Sequence, residues 1–560
     1  MRNVTQIVLL ISFGLAVQNS FAGSATWNPN PTNNDWNTAA NWTPATVPNG
    51  SSDIATFALS NTPAISLSAL TTLSGIVFSS GASAFTVSSV AHSISLAITG
   101  AGITNNSGTA QNFLAGSTDN YNGGFIFWNG ATAGSSTVFT MQPGTLSAGG
   151  FVNFNNTSTA GSATFVAEAS DATNLKGGTM FFNDNSSAGS GTFILNGPTE
   201  ANLAEGARIT FGIFSTADNA TMIANGGDGN TEAGATVHFD DNSSAANATI
   251  TVNGAVTDGS NGEAVLSFTG SAEAGNATLI TNGSATAGPG GRIEFFERST
   301  GGTCRVETFG NGNLDISGHF TSPAPQIGSI EGSGEVFLGQ VDLGIGSNNL
   351  STSFSGVIHD GGILGGTGGS LTKIGSGVLI LTGTNTYSGG TNISEGVLLI
   401  NNRTGSGTGT GIVRVRAGTL GGRGIIGGEV IVGDTRRGQA TLAPSAGSNK
   451  PNRLTINGGF SFASDGIYNC KVNTKTTKAD QVVATNVTID PLAQFTLTSV
   501  GNVALPPATV FTVVNNGGTV QIGGRFGNLA DGATIQIGNN TFQANYEGGD
   551  GNDLTLTVVP

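Results

Sequence analysis

Seven phenylalanines share one register along the middle of this chain: Phe127, Phe154, Phe182, Phe211, Phe239, Phe268 and Phe295, separated by 27 to 29 residues. A period of that length marks a repeat architecture, in which each copy buries its apolar face only by stacking on its neighbours. Two residues before each phenylalanine stand Phe125, Val152, Met180, Ile209, Val237, Leu266 and Ile293, and two before those stand only glycine or alanine. Positions i, i+2 and i+4 of a strand line one face, so each copy contains a strand whose inner face reads small, aliphatic, phenylalanine. A polar turn follows, then a second strand, with Val138, Phe165, Phe193, Met222, Ile250, Leu279 and Val306 expected in one column. If each copy is one turn of a parallel solenoid, equivalent residues lie about 4.8 Å apart and the phenylalanines form an internal ladder.

Composition agrees. The 560 residues include 88 glycines and only 9% charged residues, with 37% apolar. That is too apolar for a disordered chain and lacks the 3.6-residue periodicity of helices. The fold class is all-β, a parallel β-solenoid of about 20–25 turns.

Residues 1–22 read as a secretory signal peptide: Arg2, an apolar run at 7–17, and Ser20-Phe21-Ala22 as a cleavage site after Ala22. Residues 23–60 hold Trp27, Trp36 and Trp42 and lead into a first strand. A solenoid must cover its open end, so this segment is expected to be an N-terminal cap; the alternative is a glycan-stacking platform. Residues 61–120 read as irregular coils, 121–308 as seven repeats, 309–353 as degenerate coils, and 354–560 as a distinct C-terminal part. Cys304 and Cys470 are 166 residues apart. That is several turns along a rod, too far for a disulfide, so both thiols are expected to be free.

The net charge of −15 is unevenly spread. Between residues 403 and 478 eleven basic residues face only Glu429, Asp434 and Asp465, so this section carries +8. A basic section on an acidic body allows polyanion binding; the plainer reading is a solvated surface. Arg414 and Arg416 alternate with Val413 and Val415, so both should point outward. Arg423, Arg436 and Arg437 fall one or two turns away.

Residues 370–402 read SLTKIGSGVLILTGTNTYSGGTNISEGVLLINN. Leu371, Lys373, Gly375, Gly377, Leu379, Leu381, Gly383, Asn385, Tyr387, Gly389, Thr391, Ile393, Gly396 and Leu398 carry a pattern that resembles the β-strand repeat of bacterial autotransporter passenger domains. The resemblance covers about 354–560. It implies a right-handed parallel β-helix exposed by a bacterium, secreted or on the cell surface. The chain ends at Pro560 without the alternating strands of a translocator barrel, which implies display through a separate barrel or another export route. Outer-membrane association stays open.

Catalysis needs acidic groups converging on one face. The column two residues after the phenylalanines is the best candidate: Asn129, Asn156, Asp184, Ile213, Asp241, Gly270 and Glu297. Ile213 and Gly270 interrupt it. The four histidines fall in unrelated contexts, and no metal-spaced set or nucleophile elbow occurs. Gly548-Gly549-Asp550-Gly551-Asn552-Asp553 resembles one calcium nonapeptide but reads better as a turn, since such calcium sites need stacked copies. The sequons at Asn219, Asn247 and Asn276 come from the repeat's turn. We therefore assign no catalytic, cofactor-binding or metal residues and expect no cofactor and no specific nucleic acid. The reading is an exported structural or adhesin-like β-solenoid, with surface glycans or polyanions as partners. The alternatives are a carbohydrate-active β-helix enzyme and a polyanion-binding module.

Overall fold

The computed structural model describes residues 23–560 except 91–93, 118–121, 146–147, 171–174, 200–203, 229–233, 260, 321 and 436–437. The signal segment, His92, Arg436 and Arg437 therefore lie outside the described residues. The chain is a parallel β-solenoid of about 17 turns. Among the described residues the only helical element is the 3-10 turn Ala39–Asn41. The turn count is below the 20–25 expected because residues at both ends are spent on caps. At the C-terminus Val510–Asn516, Asp553–Val559, Asn540–Gly548 and Thr534–Ile537 pair antiparallel. They close the last turn, where an open parallel edge would otherwise invite another chain.

Two sheets run through the regular repeats. One passes from Gly124–Phe127 through Phe151–Phe154 and on to Arg292–Phe295, with all seven phenylalanines in register. Their rings are fully or almost fully buried, with centroids 4.6–4.9 Å apart and planes within 6–11° of parallel. Offset stacking adds roughly 0.5–1.5 kcal/mol per pair beyond burial. The opposite sheet presents a shorter ladder, Phe113, Phe139, Phe165 and Phe193, at 4.7–5.0 Å. Phe165 and Phe193 meet Phe154 and Phe182 edge-on across the core at 5.8 and 5.9 Å.

One position in the second column is corrected. Phe139, not Val138, pairs with Phe165. The first turn holds one residue more than the next, and the extra residue is absorbed as a bulge between Ser135 and Val138, with Ser136 at φ 53°. A count from the preceding phenylalanine slips by one there.

A third face is only a file of single bridges in the repeats, from Thr132–Thr159 to Glu273–Thr300. It widens into a sheet from Gln326–Ile327 onward, while the first sheet ends at Val357–His359. The C-terminal part is thus wound on the second and third sheets. At the other end Trp27, Trp36 and Trp42 are buried and pack edge-on at 5.0–5.1 Å over Phe57, which stacks on Phe78. The three indoles are thus packed inside this end of the solenoid rather than on its surface. Trp42 Nε1 donates to the carbonyl of Trp36 and Trp36 Nε1 to that of Pro48, so neither buried indole lacks an acceptor.

Candidate functional site

The acidic column sits at one left-handed turn of each repeat. Asn129, Asn156, Asp184, Ile213, Asp241, Gly270 and Glu297 all have φ between 55° and 62°. At Asn129, Asn156, Ile213 and Gly270 the side chain one turn further along accepts the residue's own N–H, whereas Asp241 N donates to Asp240 Oδ1 and Glu297 N to the Gly318 carbonyl. Asn156 N donates to Asp184 Oδ2 (2.8 Å), Ile213 N to Asp241 Oδ2 (3.2 Å) and Gly270 N to Glu297 Oε2 (2.9 Å). Asparagine and aspartate suit both demands, tolerance of the left-handed region and a short acceptor. The carboxylates therefore run along the axis and do not converge.

Asparagines elsewhere do the same work. Asn282, Asn253 and Asn225 each donate through Nδ2 to the preceding amide oxygen, 2.8–2.9 Å apart, and Asn196 ends the file on Glu168 Oε2 at 2.8 Å. The spacing of 28–29 residues carried this signal and sequence reasoning missed it. The sequon asparagines Asn219, Asn247 and Asn276 form a second, looser file at 3.2–3.4 Å.

A serine, a histidine and an aspartate do meet on the outer face of the first sheet. His238 Nδ1 lies 2.7 Å from Ser267 Oγ, and His238 Nε2 lies 4.0 Å from Asp240 Oδ2. The second distance is too long for the hydrogen bond that orients a catalytic imidazole. Burial and then the Arg208 charge hold the imidazole pKa below its ordinary value. The strands around it spend their N–H groups on the sheet ladder, so no donor pair is free to stabilise an oxyanion. His319 is buried and His359 stacks on Phe337 at 5.1 Å. Gly548–Asp553 is the turn between two antiparallel strands, and Asp553 is occupied by Asn516 N at 2.9 Å. Among the described residues no group of three His, Cys, Asp or Glu side chains could hold a metal ion.

The residues of the 371–400 motif build a buried polar frame. Lys373 occupies an inward position and is almost fully buried. Its Nζ donates to the carbonyls of Ile374 (2.6 Å), Gly375 (2.7 Å) and, one turn on, Glu395 (3.4 Å). Desolvation pulls its pKa down from 10.5 to about 8. Asn385 accepts from Ile358 N (2.9 Å) and donates to the Gly407 carbonyl (2.7 Å), so one amide spans three turns. Tyr387 Oη bonds Thr391 Oγ1 at 2.6 Å, and burial pushes the phenol above its ordinary pKa. The turns here are short, and these side chains satisfy backbone groups that the sheets do not reach.

The basic section offers outward charge. Val413 and Val415 are buried while Arg414 and Arg416 are exposed. Asp434 shares their shallow groove of about 330 Å³. A larger concave pocket, about 740 Å³, lies on the neighbouring edge and is lined by Asn401, Asn402, Arg403, Arg423, Gly424, Ile425, Pro451, Asn452, Arg453 and Thr455. Ile425 pairs with Thr455, which puts Arg423 and Arg453 at one register position on successive turns. Arg403 comes from the turn before. Sequence reading counted these three arginines but did not group them, because turn lengths change between 400 and 455.

A passenger-associated-transport-repeat model matches residues 371–400. Over 127 residues, 21% of this chain, the sequence is 35% identical to the adhesin BmaC autotransporter of Brucella suis biovar 1 (strain 1330). The chain spans about 4% of that relative's length. Among solved structures it is similar to the Hap adhesin of Haemophilus influenzae, with 11% identity and a TM-score of 0.29 over 90% of this chain and 63% of that one. Residues 371–400, wound into the parallel solenoid, thus carry a passenger-associated transport repeat of the autotransporter type.

Proposed function

We propose that the chain is an exported, surface-displayed β-solenoid that acts by adhesion and carries no catalytic centre. One observation carries the reading. The polar groups that chemistry would draw on are spent on holding turns together, as Asp184, Asp241, Glu297, Asn385 and Lys373 are. Outward arginines of the 403–478 section are left facing solvent. The passenger repeat and the adhesin named among the relatives support the same reading, and the leader at 1–22, cut after Ala22, supports export. Acidic surface glycans are the partners best suited to that section.

The rival is a β-helix lyase or hydrolase. Incubation of the full chain with acidic polysaccharides separates the two. Adhesion predicts retention of the chain on the immobilised polymer with no release of reducing or unsaturated ends. Time-dependent release that scales with protein concentration would overturn the reading.

A further inference from the structure

The pocket at Arg403, Arg423 and Arg453 is an open concavity of about 740 Å³. Three exposed arginines from three turns line one concavity, and no acidic residue lines it. Two arginines of the repeats are neutralised in contrast: Arg292 is paired with Glu263 and Glu294, and Arg305 with Glu307 and Glu331 at 2.8–3.0 Å. Among the described residues no hydrogen bond or ion pair engages the side chains of Arg403, Arg423 or Arg453. Successive turns set Arg423 and Arg453 about 4.8 Å apart at the backbone, where like charges repel unless an anion lies between them.

We propose that this pocket binds an acidic polysaccharide, with its sulfate or carboxylate groups held by Arg403, Arg423 and Arg453. The proposal deepens, and rests on, the adhesive reading. Guanidinium forks suit planar or tetrahedral oxyanions bidentately. Asn401, Asn452 and Thr455 line the same pocket, and the amide and hydroxyl positions not already bonded within the chain can meet sugar hydroxyls, while Pro451 offers an apolar face to a sugar ring. The pocket opens across three turns, so it suits a polymer carrying repeated anions better than an enclosed small molecule. Its floor is fixed: Asn402 Oδ1 accepts from Ile425 N at 2.9 Å, and Asn401 Oδ1 from Arg423 N at 3.1 Å.

The test is titration of the full chain with fluorescent heparin-derived and polygalacturonate-derived oligosaccharides, sulfate and carboxylate carriers respectively. It compares wild type, Arg403→Gln/Arg423→Gln/Arg453→Gln and, as a control of equal charge change, Arg414→Gln/Arg416→Gln/Lys450→Gln. The pocket variant is expected to lose about tenfold or more in affinity for at least one probe, and the control about twofold or less. Matched thermal melts confirm that both variants fold, as expected for exposed side chains. Equal losses in the two variants would overturn the proposal in favour of diffuse charge, and so would duplex DNA competing as well as the oligosaccharides. If the pocket variant loses oligosaccharide but coated beads still attach to glycan surfaces, the pocket stands and the adhesive role assigned to it falls.

Discussion

Ile213 keeps the left-handed conformation of the column without its polar side chain, and it gives a quantitative test of what that column does. It adopts φ 60°, a conformation that costs an ordinary L-residue roughly 1–2 kcal/mol and a β-branched one more. Its side chain is 41% exposed, so little apolar burial is at stake. Its neighbours in the column show what the position is for: each polar side chain takes the N–H of the turn before it, as Asp184 takes that of Asn156. Ile213 has no acceptor to offer Asp184 N. Ile213→Asn should relieve the backbone cost and supply that acceptor, which is worth about 0.5–1.5 kcal/mol net. The expected gain is about 1–3 kcal/mol, measured as a raised midpoint in guanidinium titration with unchanged slope. Ile213→Ala separates the two contributions, since it removes the branching and supplies no acceptor, so it should gain less. A destabilised Ile213→Asn would refute the capping account of the column, and with it the reason for reading Asp184 and Asp241 as structural.

Three further outcomes are expected. Phe211→Ala should cost about 3–5 kcal/mol, because it empties one rung of the ladder, whereas Trp128→Ala, at a half-exposed outward position, should cost less than about 1 kcal/mol; equal losses in denaturant would contradict the ladder. Lys373 has its folded pKa below its unfolded one, so the native state binds fewer protons between pH 8 and 10.5 and stability should rise with pH across that window. Lys373→Met should abolish that rise and be less stable at pH 7, where three carbonyls lose their donor. Cys304 and Cys470 are both buried and free, and burial pushes the Cys304 thiol to about 12, so neither should react with a thiol reagent in the folded chain and both should react once it is denatured without reductant.

The parts of the fold that were legible in the sequence are those where side-chain periodicity and strand periodicity coincide. The seven phenylalanines, the aliphatic column beside them and the small residues before those have one environment in every copy, so their spacing alone placed them inside. The burial of Trp27, Trp36 and Trp42 was legible for a related reason: large aromatics beside a phenylalanine core pack against it. Legibility failed where a turn changed length. The extra residue before Phe139 shifted its column by one, and the unequal turns between residues 400 and 455 hid the convergence of Arg403, Arg423 and Arg453. It also failed for polar files. Asn196, Asn225, Asn253 and Asn282 keep the repeat spacing, but an asparagine at a turn fits local turn chemistry equally well, and only the structure shows amide bonding to amide along the axis. The antiparallel pairing at the C-terminus was missed because Phe542, Ala544 and Tyr546, and Leu554, Leu556 and Val558, alternate as in any strand, and alternation carries no information about strand direction.

The claim that an inert stack acts through its outward surface is tested most directly by attachment. Beads coated with the full chain are allowed to settle on surfaces bearing acidic polysaccharide, on the same surfaces after enzymatic removal of the polysaccharide, and on neutral glucan, and are then counted under flow. The account predicts attachment to the acidic surface alone, weakening as salt rises through the physiological range while the surface polymer stays intact. Equal attachment to all three surfaces, or loss of the surface polymer beneath the beads, would contradict it.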